Sequence, residues 1–143
     1  MTALLDAAVL IALFDGAHVH HRAAHGWMST HRREGWATCP ITQNACIRIM
    51  SQPAYPGRLT VADITRRLRK ATSAPDHRFW PDSLSLCSEE CFDPSGVLLS
   101  KQITDLYLLA LAVRHGGYLV TFDQGVNHDA VPRATKAHIT LLE

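Results

Sequence analysis

The chain has 143 residues, 47% of them hydrophobic, and a formal net charge of +1. That length suits one domain with a substantial core and excludes two full-sized ones. The near-neutral balance excludes binding to nucleic acid through an overall positive field, and no apolar run approaches the ~20 residues of a membrane span.

The start, Met1-Thr-Ala-Leu-Leu-Asp, has no basic segment, and Asp6 interrupts its apolar stretch. We therefore expect no signal peptide, and a cytoplasmic protein. Thr2–Leu5 reads as a buried strand and 8–14 as a short helix. From His20 to Arg33, small or apolar residues recur at Ala23, Ala24, Trp27 and Met28, the spacing of an amphipathic helix. Trp36-Ala-Thr-Cys is a short second strand. Pro40 stops it and suits the first position of the next helix, expected to run to about Met50. Ser51-Gln-Pro-Ala-Tyr-Pro-Gly is a loop by its Pro and Gly content.

Thr60 is placed to cap the following helix, with Asp63 three residues on. Val61, Ile64 and Leu68 form the inner face of that helix, and Arg66, Arg67, Arg69 and Lys70 the rest. His77-Arg-Phe-Trp-Pro is expected to be a third strand, and Leu86 to Phe92 a short helix. Residues 103–115 form a strongly apolar helix closed by Gly116-Gly117. Tyr118 to Phe122 and His138 to Leu142 are the last two strands. Such alternation implies a parallel sheet covered by helices on both faces, in a single domain over 1–143.

Three carboxylates stand out. Asp6 and Asp123 each close a short apolar strand, and Asp105 lies at the start of the apolar helix. In an open α/β sheet, ligands bind beyond the carboxyl ends of the strands. Each aspartate alone has a plain explanation as a cap, a first-turn anion or a turn residue. Together they crowd negative charge at one edge, which costs stability unless a cation neutralises it. Oxygen ligands of this kind suit Mg²⁺ or Mn²⁺.

These motifs resemble those of a known family. Leu4-Leu-Asp-Ala-Ala-Val-Leu-Ile-Ala-Leu-Phe is similar to the opening motif of PIN-domain ribonucleases, in particular the VapC-type toxins of toxin–antitoxin pairs. Thr38-Cys-Pro-Ile-Thr-Gln-Asn resembles the second motif, Gln102-Ile-Thr-Asp-Leu-Tyr the third, and Leu119-Val-Thr-Phe-Asp the fourth. The resemblance implies an α/β/α sandwich with about five parallel strands and Mg²⁺- or Mn²⁺-dependent endonucleolytic cleavage of RNA. It implies attack by water, leaving 5′-phosphate and 3′-hydroxyl ends. It also implies a homodimer and an antitoxin that blocks the site. On this reading Asp6, Asp105 and Asp123 are the catalytic, metal-holding residues.

Two positions depart from the pattern. Gln43 stands where the family usually has a glutamate, and Ala8 where it has a small polar residue. An amide oxygen can ligate a hard cation but brings no charge, so reduced activity is expected. The alternative is a PIN-like module that binds RNA or antitoxin without cleaving.

Other residues carry weaker signals. Thr121, two residues before Asp123, could orient a carboxylate or water. Its plain explanation is strand propensity. His18, His21 and His25 share helical spacing but lack Cys or carboxylate partners for zinc. Eleven of the 14 cationic residues are Arg, whose planar fork grips phosphate or carboxylate. The run Arg66 to Lys70 is thus either an RNA contact or a solvated face. Trp27, Trp36 and Trp80 read as core or interface residues. Cys39, Cys46, Cys87 and Cys91 contain no C-x-x-C pair and are expected to be reduced.

Overall fold

The computed structural model describes residues 1–95 and 99–143. Five strands form one wholly parallel sheet. They are β1 (Ala3–Leu5), β2 (Trp36–Thr38), β3 (His77–Phe79), β4 (Tyr118–Thr121) and β5 (Ile139–Leu141). Their order across the sheet is β3-β2-β1-β4-β5. The chain builds outward from β1 to β3, then returns and builds outward on the other side. The topological switch therefore lies between β1 and β4, where an open α/β sheet holds its ligand.

Helices α1 (Ala7–Phe14), α2 (His21–His31), α3 (Pro40–Met50) and α4 (Val61–Thr72) pack largely against one face. Helix α5 (Ile103–Arg114) covers the other face, with Trp80, Ala130 and Val131. This is the expected α/β/α sandwich. The central strands β1 and β2 are buried at every position, as strands covered on both faces must be. Leu106–Ala112 is an unbroken buried run, which explains why α5 reads as apolar all round.

Local signals act as the sequence suggests. Thr60 Oγ1 accepts the amide of Asp63 at 3.0 Å and caps α4. Pro40 opens α3. Gly116 follows α5 with φ of 67°, the left-handed conformation that glycine adopts without strain. Trp36 and Trp80 are buried, and Trp27 stacks on His31 at 4.7 Å. Cys39 and Cys46 are buried and free, whereas Cys87 is exposed.

One expected element is absent. Leu86 to Phe92 is a chain of turns, not a helix. Ser88 N bonds Ser85 O and Cys91 N bonds Ser88 O, each closing a four-residue turn, while the Ser85 hydroxyl takes the amide of Cys87. Serine side chains compete here with helical backbone bonding, and Leu84, Leu86 and Phe92 pack against the α5 layer without it. The second helix also ends earlier than expected: α2 stops at His31 and Arg32–Glu34 forms a 3₁₀ turn.

Gly117 joins α5 to β4 where the backbone passes close to β1. A Cβ there would overlap the Thr2 carbonyl oxygen and stand 2.8 Å from Trp80 Cη2. The carbonyl accepts the amide of Tyr118, so it cannot retreat without parting β1 from β4. Gly117→Ala should destabilise the protein by roughly 1–3 kcal/mol in urea unfolding. An unchanged midpoint would contradict this close approach.

Candidate active site

Asp6 follows β1 and Asp123 follows β4, so the chain switch sets them side by side. Thr121 links them. Its hydroxyl donates to Asp6 Oδ2 at 2.9 Å, and its oxygen accepts the Asp123 amide at 3.0 Å. Thr121 is fully buried, so both bonds are held in a fixed place. Asp6 heads α1, but its side chain makes no geometric cap bond. Its carboxylate is turned toward Thr121 instead.

Asp105 lies in the first turn of α5 and brings the third carboxylate from the opposite layer. Burial, the hydrogen-bonded carboxylate of Asp123 and the charge of Asp6 all hold its proton affinity well above the usual carboxylate range. Asp6 is raised as well. Burial dominates there, aided by Asp123, and outweighs the Thr121 hydroxyl and the amides at the head of α1. Asp123 moves the other way, because the proton that Asp105 retains is donated to it. The Gly125 amide, at 2.8 Å, adds to that effect. The opposite directions of the two shifts make Asp105 the member of the pair that holds a proton longer and Asp123 the one that ionises first.

The three sequence-derived aspartates thus converge, but not as a finished cage. Among the described residues, no three His, Cys, Asp or Glu side chains surround a single point as a ready metal site. Mg²⁺ needs no such cage. It keeps several waters and takes one or two carboxylates, with substrate phosphate completing the shell. Two half-buried carboxylates whose charge is disfavoured until something neutralises it are the donor set a hard divalent cation fits.

Gln43 faces elsewhere. Its Nε2 donates to Thr38 Oγ1 at 2.9 Å, and Thr38 Oγ1 lies 2.8 Å from His77 Nε2. The amide is thus occupied beside the cluster and bonds none of the three carboxylates.

The basic run on α4 lies away from this edge. Arg67 and Lys70 line an apolar groove of about 510 Å³ with Leu13, Phe14, Met28 and Trp36, at the end where α1 finishes and β2 begins. Arg66 pairs with Asp63 at 3.0 Å. Lys101 helps to hold Asp123 ionised. Arg48 shares an open cleft with Asn44, Asp82 and Thr104, and Thr104 adjoins Asp105. The histidines do not assemble either: His21 Nδ1 is bonded to Ala12 O at 2.7 Å, and its ring centroid is 5.7 Å from that of His25.

Gln102, within the third motif, has a positioning role that the motif alone does not reveal. Its Nε2 donates to Gly125 O at 2.6 Å, and its Oε1 accepts the Leu99 amide at 3.0 Å. It thereby ties the start of α5 to the loop that carries Asp123. Its place three residues before Asp105 was the available signal.

Fold and carboxylate geometry together define a PIN-type α/β protein, and comparison with known proteins agrees. The model of the PIN domain matches residues 3–132, and the chain belongs to that family. It is 46% identical over 142 residues to Ribonuclease VapC44 of Mycobacterium tuberculosis, covering 99% of this chain and 100% of that protein. It is 43% identical over 131 residues to Ribonuclease VapC39 of the same species, covering 91% and 94%. Among solved structures it resembles VapBC2 from Rickettsia felis bound to a DNA fragment from their promoter. That likeness has a TM-score of 0.66 over the full length of both chains, at 11% identity, and speaks for the fold.

Proposed function

We propose that this chain is a divalent-metal-dependent endoribonuclease, the toxin of a toxin–antitoxin pair, with activity reduced by Gln43. The observation that carries the reading is the trio of Asp6, Asp105 and Asp123 at the β1/β4 switch, with two carboxylates held above their usual proton affinity. The relatives' names support ribonuclease action.

Asp6, Asp105 and Asp123 would hold Mg²⁺ or Mn²⁺, Asp123 directly or through water. When bound, the cation supplies positive charge against the phosphodiester and acidifies a water molecule for attack. The chain's own residues do the rest. Thr121 aims Asp6 and fixes the Asp123 backbone. Gln102 and Gly125 hold the Asp123 loop. Lys101 beside Asp123, and Arg48 in the cleft it shares with Thr104, suit RNA phosphates.

An antitoxin partner is supported by the structural neighbour, a VapBC pair. The apolar groove rimmed by Arg32, Arg67 and Lys70 suits an apolar-faced acidic segment of such a partner. A homodimer acting in the cytoplasm completes the proposal, as the family resemblance implies. No described helix is long and apolar enough to cross a membrane.

Calorimetric titration with Mg²⁺ tests the reading. The wild-type protein should bind with heat that Asp6→Asn abolishes or weakens at least tenfold. Equal binding by both proteins would overturn the metal assignment.

A further inference from the structure

The open cleft beside the acidic edge takes its polar groups from three chain segments: Asn44 and Arg48 of α3, Asp82 after β3, and Thr104 of α5. Its volume is about 380 Å³, within the roughly 300–1,000 Å³ of small-molecule sites. Helix α3 leaves the carboxyl end of β2, and Asn44 and Arg48, four residues apart, share one of its faces. Trp80 extends the pairing of β3 by one bond, its amide donating to Thr38 O at 2.9 Å. Pro81 has no N–H to continue it, so Asp82 leaves the sheet at that same end. Thr104 stands in the first turn of α5 next to Asp105, as Asn44 stands next to Gln43.

The polar side chains of the cleft are free. Among the described residues, Asn44, Arg48, Asp82 and Thr104 make no side-chain hydrogen bond and no salt bridge, although Arg48 and Asp82 line the same space. A cation and an anion that share a cleft without pairing offer both signs of charge to a ligand. A purely anionic ligand would be repelled by Asp82, and a purely cationic one by Arg48. A nucleotide suits both, with an anionic phosphate and a base edge that can donate. Tyr107, one turn after Thr104 on α5, is buried and its hydroxyl has no partner. Burial and the charge of Asp82 keep that hydroxyl protonated. An orphaned donor behind a set of free polar side chains is a mark of a site that takes a polar ligand.

The carboxylate selects among bases. It can only accept, through two oxygens. On its Watson–Crick edge guanine carries two adjacent donors, N1–H and the 2-amino group. Adenine and cytosine each set one amino donor beside a ring acceptor, and uracil sets its one donor between two carbonyls. Only guanine meets both carboxylate oxygens without opposing lone pairs. Single-stranded RNA leaves these edges open to a protein. We propose that this cleft is a guanosine subsite: Asp82 takes the Watson–Crick edge of the base, Arg48 a phosphate of the same strand, and Asn44 and Thr104 further polar atoms of the nucleotide. The proposal rests on the ribonuclease reading for its substrate class and adds to it the base beside the cut, because Thr104 adjoins Asp105. Asp82 then sets specificity and Arg48 affinity.

Fluorescence anisotropy in EDTA, where metal-dependent cleavage is absent, tests this with short oligouridylates that carry one central guanosine, inosine or adenosine. Inosine lacks only the 2-amino donor. The guanosine strand should bind about tenfold more tightly than the other two, the discrimination of one good bidentate contact. Asp82→Asn, at an exposed position, should reduce guanosine to the level of inosine. Arg48→Ala should weaken all three strands alike and keep their order. Equal binding of guanosine and inosine by the wild type would overturn the subsite, as would a preference that survives Asp82→Asn. Cleavage of RNA with no regard to guanosine would overturn it while the ribonuclease reading stood. A second readout needs no RNA: guanosine 5′-monophosphate should shift the Asn44 side-chain amide in ¹⁵N NMR spectra at concentrations where inosine 5′-monophosphate does not. That shift, lost in Asp82→Asn, in a protein that never cleaves RNA would uphold the subsite while the ribonuclease reading fell. Identical spectra with the two nucleotides would overturn it.

Discussion

Asp105→Asn is expected to do two things at once: reduce RNA cleavage by about a thousandfold and make the metal-free protein more stable above neutral pH. The first effect follows from losing a ligand worth several kcal/mol of charge stabilisation at the reacting phosphate. The second follows from linkage. The native state holds the Asp105 proton more tightly than the unfolded chain does. Between about pH 4 and its raised native value, folding takes up a proton, so stability falls as pH rises through that window. Below about pH 4 both states are protonated and the penalty vanishes. Asp123 offsets part of this, because its lowered proton affinity contributes stability that is lost in acid.

The asparagine keeps an N–H to donate to Asp123 and removes the repulsion. Metal-free Asp105→Asn should therefore gain about 1 kcal/mol or more at pH 8, roughly 3 °C in Tm, and nothing at pH 4. Mg²⁺ should raise the Tm of the wild type, since it binds the folded state alone, and leave the variant unmoved. Thermal melts at both pH values, with and without Mg²⁺, decide the matter. A variant less stable than wild type at pH 8 would mean that Asp105 is not strained by its neighbours.

Much of this site was legible in the chain because its signals are local. Asp6 and Asp123 mark the ends of apolar strands, and Asp105 marks the first turn of an apolar helix. Parallel topology then places all three at one edge. Features that depend on distant pairing were not legible. Thr38 and His77 meet only because β2 pairs with β3. The direction of the Gln43 amide could not be inferred without that meeting. Arg67 and Lys70 read correctly as the polar side of an amphipathic helix, but periodicity reports a face and not which end of the sheet it flanks. They flank the apolar groove, away from the carboxylates. The turns at 86–92 mislead because the Ser85 hydroxyl satisfies a turn amide that a helix would otherwise bond.

The largest gain in activity is expected from Gln43→Glu. Position 43 lies in the first turn of α3, which follows β2, and the present amide brings no charge there. A carboxylate there would add one unit of attraction for a divalent ion. At an effective dielectric near 20 and a separation of several ångströms, that is worth a few kcal/mol before desolvation is subtracted. A rise of about 10- to 100-fold in cleavage rate at subsaturating Mg²⁺ follows, with tighter Mg²⁺ binding by calorimetry.

The gain should shrink as Mg²⁺ approaches saturation if affinity is its source. It should persist at saturation if the carboxylate also orients the attacking water. The metal-free variant should be less stable than wild type at pH 8, because a fourth carboxylate joins a crowded edge, and Mg²⁺ should restore it. Equal cleavage rates and equal Mg²⁺ affinity in the two proteins would remove position 43 from the metal's surroundings. Gln43 would then serve only to hold Thr38, and the low charge of this edge would have to be explained by Asp6, Asp105 and Asp123 alone.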